Sequence, residues 1–78
     1  MSEEAERHRE SAEAHRRAAG RYERAATYWQ MLGDVERADL ERRSAQLERT
    51  AAGLDKERAD LAERSPPSVG YSDNDRRA

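Results

Sequence analysis

The sequence predicts an all-α protein, an antiparallel hairpin of two long helices, and three observations lead to this prediction. Alanines recur at every seventh residue from Ala5 to Ala26, the spacing of a buried stripe along a helix. Leucines recur in the same way from Leu40 to Leu61. Between the two stripes stands the pair Gly33-Asp34, and glycine commonly ends one helix where aspartate caps the next.

The boundaries of the elements follow from capping residues. Ser2 is a favourable N-cap, and helix 1 is expected over about 2–32, with the turn at 33–34. Helix 2 is expected over about 35–64, because proline at position 66 moves the preceding residue out of the helical region. Residues 1–64 then form a hairpin domain, and the polar segment 65–78 is expected to be a disordered tail.

Folding the chain at Gly33 predicts how the two helices pack. A mirror there sets residue i opposite residue 66−i, so that each alanine of helix 1 faces a leucine, as a close-packed core prefers. The same mirror sets Trp29 beside Arg37 as a cation–π pair. A second alanine stripe of helix 2 then lies on a different face and is a candidate docking surface. Its members are Ala38, Ala45, Ala52 and Ala59.

One alternative keeps the same stripes in phase. The seven-residue spacing continues through Gly33 into the leucines, and a glycine inside a helix costs only about 1 kcal/mol relative to alanine. A single continuous helix that pairs with a second chain is therefore an alternative prediction, although the Gly-Asp pair favours the hairpin.

The composition predicts that the hairpin needs a partner. The chain has 78 residues, of which 35% are hydrophobic, and it contains no cysteine. A domain this short buries too little surface to be more than marginally stable alone, and it has no disulfide to reinforce it. We therefore expect a homo-oligomer, a dimeric four-helix bundle, or docking on a helical partner protein.

The charge pattern argues against several classes of function. Charged residues make up 41% of the chain with a net charge of −2, and both signs are interleaved, so nucleic-acid binding is not expected. No apolar run approaches the roughly 20 residues of a membrane span, and the acidic N-terminus does not resemble a signal peptide. We expect a cytoplasmic protein, with export without a classical signal peptide as the alternative. Fourteen of fifteen basic residues are arginine, which suggests a bacterial genome of high GC content.

Helix 1 carries both histidines of the chain, His8 and His15, two turns apart on one face. They can pack at the helix interface, form a metal-binding helical bundle, or make the interface sensitive to pH because protonation would penalise burial. No Glu-x-x-His pattern accompanies them, so neither a metal nor another cofactor is expected. No nucleophile–base set and no enclosing pocket are evident either, and we expect neither an enzyme nor a small-molecule substrate.

A cluster of large apolar side chains precedes the turn, and two interpretations of it stay open. It can be a plug at the end of the hairpin, closed by Val35 and Ala38, or an exposed interface hot spot, since Trp and Tyr dominate interface energetics. With the second alanine stripe, it gives the candidate interface residues. The members of the cluster are Tyr22, Tyr28, Trp29, Met31 and Leu32, of which all but Leu32 are candidate interface residues.

Two family resemblances extend these expectations. Residues 22–45 resemble one tetratricopeptide-type helix pair at the positions Tyr22, Ala26, Trp29, Gly33, Ala38 and Ala45. That resemblance implies a helical hairpin. Arg42 departs from the aromatic residue of that family, and no proline closes the repeat.

The second resemblance is to the small WXG-type hairpins of type VII secretion. Trp29 and Gly33 lie near the turn, two residues further apart than in the Trp-x-Gly motif of that family. The tail segment Tyr71-Ser72-Asp73-Asn74-Asp75 matches the Tyr-x-x-x-Asp/Glu pattern. The resemblance implies an exported hairpin protein with a co-encoded partner.

Overall fold

The computed structural model describes residues 2–64, which form two α-helices. Helix α1 spans Glu3–Met31 and helix α2 spans Val35–Arg64. Cross-helix pairs such as Arg9 with Glu63 and Gln30 with Arg42 show that the helices run antiparallel. The predicted all-α hairpin is confirmed, and the chain does not continue as one helix. The predicted tail and its Tyr71–Asp75 motif lie outside the described residues.

Capping interactions explain where each helix begins and ends. The Ser2 side chain accepts a hydrogen bond from the amide of Ala5 at 3.1 Å. At the turn, Gly33 has φ 81°, a left-handed conformation that glycine adopts without a Cβ penalty.

The turn itself is a Schellman motif followed by an aspartate cap. The amide of Gly33 donates to Gln30 and that of Asp34 donates to Trp29, which satisfies the last carbonyls of α1. The Asp34 carboxylate then accepts from the amide of Arg37 at 3.0 Å. The turn therefore needs only the three residues between the end of α1 and the start of α2.

The interface between the helices consists of two alanine rows, one from each helix. Eight alanines are at most 4% exposed, and they make up the apolar core of residues 2–64. Such small side chains let the two backbones approach closely. The alanine rows are Ala5, Ala12, Ala19 and Ala26 of α1, and Ala38, Ala45, Ala52 and Ala59 of α2.

This core corrects two sequence-based expectations. The leucines predicted to face α1 are exposed, and the alanines of α2 predicted to form a docking surface are buried inside the hairpin. The polar neighbours give the physical reason. With the alanine row inward, Glu48 and Asp55 meet His15 and His8. The predicted register instead set these histidines against Ala51 and Arg58, where neither ring would meet a carboxylate.

Neither of the two described helices is apolar enough over a sufficient length to cross a membrane.

Candidate functional site

One edge of the hairpin carries a cluster of histidines and carboxylates. His15 Nδ1 lies 2.6 Å from Glu48 Oε1, and its Nε2 lies 3.6 Å from Asp55 Oδ2. His8 Nδ1 lies 3.7 Å from the other oxygen of Asp55, and its Nε2 lies 3.8 Å from Glu4. All four ring nitrogens therefore face carboxylate oxygens, and the two histidines bracket Asp55.

Asp55 is the only buried charged side chain among residues 2–64, with 5% of its surface exposed. The pKa of its carboxyl is lowered from 3.8, chiefly by the hydroxyl of Ser11 and further by Arg58 and His15, against the opposing effect of burial. Arg58 donates to Asp55 at 2.9 Å. The carboxylate is thus held in its charged form at the centre of a hydrogen-bonded network.

The histidines were also candidates for binding a metal or for a pH-sensitive interface. Within residues 2–64, no group of three or more potential ligands has the arrangement to hold a metal ion. The pH sensitivity of an interface at these histidines stays a prediction. The cluster fits a structural polar bridge between α1 and α2.

The opposite edge of the hairpin is bridged by arginine side chains. Arg9 pairs with Glu63 at 3.1 Å, and Arg42 donates to Gln30 at 3.0 Å. Arg49 pairs with Glu23 across the same edge. These side chains are all about a third or more exposed, so each pair contributes little to stability, but together they make this edge fully polar.

The outer face of α2 carries the leucines. They are between 47% and 72% exposed. Each stands two residues after an alanine of the α2 row, and two residues correspond to about 200° around a helix. The leucines therefore form a ridge on the side of α2 turned away from α1. This leucine row consists of Leu40, Leu47, Leu54 and Leu61.

The turn carries a second group of exposed apolar side chains. Trp29 is half-buried, with the Arg37 guanidinium 4.7 Å from its ring centre, which confirms the predicted cation–π pair. Tyr28 contacts the indole edge-to-face at 5.1 Å. Of the two interpretations of the cluster, the closed plug does not fit, because Tyr28, Met31 and Val35 stay exposed to solvent. This turn patch consists of Tyr28, Met31, Leu32 and Val35, each 56% or more exposed.

The sequence-predicted interface residues fall into two groups. Tyr22, Tyr28 and Met31 are exposed, and Trp29 is partly so, whereas the alanines of α2 are covered by α1. Sequence reasoning missed Asp55 and the outward leucine row. A signal for both was present, because placing His8 opposite Asp55 also places His15 opposite Glu48, and this double charge match requires the alanines to face inward.

Comparisons with known proteins found no matching protein-family model, no matching curated protein and no matching solved structure.

Proposed function

We propose that the chain is a non-catalytic interaction module that presents the leucine row of α2 to another helix, either of a second copy or of a helical partner protein. The observation that carries the proposal is the row itself. Four leucines repeat at every seventh residue along about 32 Å of helix, and each keeps about half or more of its surface exposed.

A row of this kind has a physical cost unless something covers it. Exposed contiguous apolar patches on a monomer mark interaction sites more often than isolated apolar residues do. Burying the remaining exposed half of a leucine contributes about 1 kcal/mol. Within residues 2–64 the buried apolar residues are all alanines, so the leucines are the largest reserve of unburied aliphatic surface on α2.

The spacing also specifies the kind of partner. Side chains at a seven-residue repeat lie along nearly one line of their own helix, and a second helix that coils alongside can contact all of them. The turn patch offers a second, smaller contact surface at one end of the hairpin. Tyr28 carries a side chain typical of interface hot spots, and Met31 is of a residue type enriched in interfaces.

Site-specific photo-cross-linking in the native cells tests the proposal. We expect a photoreactive phenylalanine analogue at position 47 to link the chain to a protein. The same analogue at position 46, exposed on the polar side of α2, should link far less. Equal or absent linking from position 47 would overturn the proposal, and both variants should first show unchanged helical content by circular dichroism.

A further inference from the structure

The leucine row is flanked on one side by a second row whose charges are ordered in a particular way. Its members stand three residues after the leucines or four before Leu40, and all are exposed. Along the helix the row reads negative, positive, threonine, negative, positive. Read in the opposite direction, every charge has the opposite sign. This charged row consists of Glu36, Arg43, Thr50, Glu57 and Arg64.

We infer that the leucine row is covered by the leucine row of a second copy of this chain, with the two α2 helices antiparallel and related by a twofold axis near Thr50 and Ala51. This inference rests on the proposed function and names its partner. In this register residue i of one protomer lies opposite residue 101−i of the other along the leucine row. All four leucines of each copy are then paired, Leu40 with Leu61 and Leu47 with Leu54.

The charged row supports the same register independently. In an antiparallel pair, a side chain three residues after a central residue of one helix meets the side chain four residues before the facing central residue of the other helix. His8 with Asp55 and His15 with Glu48 follow this rule within the hairpin. Applied to two α2 helices, the rule sets Glu36 against Arg64 and Arg43 against Glu57 of the second copy. Each of these two ion pairs occurs twice, and Thr50 meets its own symmetry mate.

The neighbouring registers are disfavoured by both rows. A shift of seven residues in one direction sets Glu36 against Glu57, and in the other direction it sets Arg43 against Arg64. Like charges at close range destabilise an association. Either shift also leaves a leucine at one end of each row without a partner. Only the register that pairs all the leucines pairs all the charges.

A parallel arrangement of the two helices fits less well. It would rely on Arg37 and Arg58 as partners for Glu36 and Glu57. Arg37 already stacks on Trp29, and Arg58 already donates to Asp55.

The antiparallel pair uses side chains that the hairpin leaves available. Within residues 2–64, Glu36, Glu57 and Arg64 make no ion pair. Among the described residues, Arg43 pairs only with the exposed Asp39, one turn away on the same helix.

The other flank of the leucine row is compatible with close approach. Ala51 meets its symmetry mate there, and Ser44 meets Arg58 of the second copy, so no bulky apolar side chain separates the helices. Since the leucines lie about 200° from the alanine row, the second hairpin adds on the far side of α2. The dimer is then an open row of four helices rather than the closed four-helix bundle expected from the sequence.

Charge reversal tests the register. Residues 43 and 57 lie about 21 Å apart in one helix and cannot contact each other within a protomer. By sedimentation equilibrium we expect Arg43→Glu or Glu57→Arg to raise the dimer dissociation constant by about tenfold or more. The double variant should restore it to within about threefold, because the ion pairs re-form with exchanged signs. A wild-type chain that stays monomeric, or single variants that dimerise as the wild type does, would overturn the inference.

Disulfide trapping tests the direction, since the chain has no cysteine of its own. A mixture of Arg43→Cys and Glu57→Cys chains should form a mixed disulfide far faster than either chain forms its own. Preferential trapping between Glu57→Cys and Arg58→Cys chains would instead show a parallel pair and overturn the inference.

The two proposals fail in different ways. A cross-link from position 47 to another protein, with a monomeric chain in the ultracentrifuge, would reject the self-pairing and leave the interaction function in place. The absence of any cross-link from position 47 would reject the interaction function through this row.

Discussion

At the scale of single residues, Asp55 determines the polar side of the interface. It joins α1 to α2 through the histidine rings on either side of it, and Ser11 and Arg58 complete its surroundings. A buried carboxylate without such partners would be strongly destabilising. The alanine side chains are small and lie along the middle of the interface. The network therefore fits beside them, at one edge of the hairpin.

The lowered pKa of Asp55 predicts a pH dependence with a definite sign. In the unfolded chain the Asp55 carboxyl has a pKa near 3.8, and in the folded chain its pKa is lower. The stabilisation is therefore fully present above about pH 4 and is lost as the pH falls through the folded pKa. We expect Asp55→Asn to lower the free energy of unfolding at pH 6 and to matter less at pH 3, measured by urea denaturation.

Asp60→Asn provides the matched control, because Asp60 is exposed and, within residues 2–64, pairs only with Lys56 on the same helix. The Asp55 effect should exceed the Asp60 effect at pH 6. An Asp55→Asn variant whose deficit stays the same at both pH values would contradict the explanation.

At the scale of the helices, the sequence predicted the elements well and the packing face poorly. Ser2, Gly33 and Asp34 act through local hydrogen bonds, so their roles could be inferred from residue type and position. The choice between the alanine and leucine rows of α2 depends on which polar side chains find partners across the interface. That choice is a tertiary property. The rule that small side chains face large ones across a helix interface favoured the leucine row instead.

The choice of face predicts effects of different size for the same new side chain at adjacent positions. Ala45 is 1% exposed, so Ala45→Leu must force the helices apart and should cost about 1–3 kcal/mol. Gln46→Leu places the same group on the exposed side of α2, where surface substitutions usually change stability by less than about 0.5 kcal/mol. Thermal unfolding followed by circular dichroism measures both. A tolerated leucine at position 45 would favour the register expected from the sequence.

At the scale of the whole molecule, the hairpin has unlike outer surfaces. One edge is bridged by arginines and acidic side chains, and the outer face of α2 carries the leucine row. The candidate interface was only partly predictable, because the leucines were recognised as a stripe but assigned to the interior. The aromatic residues near the turn were correctly identified as a group, while their exposure depended on how the turn closes.

The alanine core has a further consequence for how the protein responds to temperature. Unfolding a monomeric hairpin exposes mainly alanine methyl groups, so little apolar surface becomes newly hydrated and the heat-capacity change should be small. We expect calorimetry of a monomeric Leu47→Ser/Leu54→Ser variant to give less than the usual ~12–15 cal/mol/K per residue. A usual or larger value would contradict an alanine-only core. With a small heat-capacity change, stability varies gently with temperature, and cooling weakens such a hairpin less than it weakens a domain with a large apolar core.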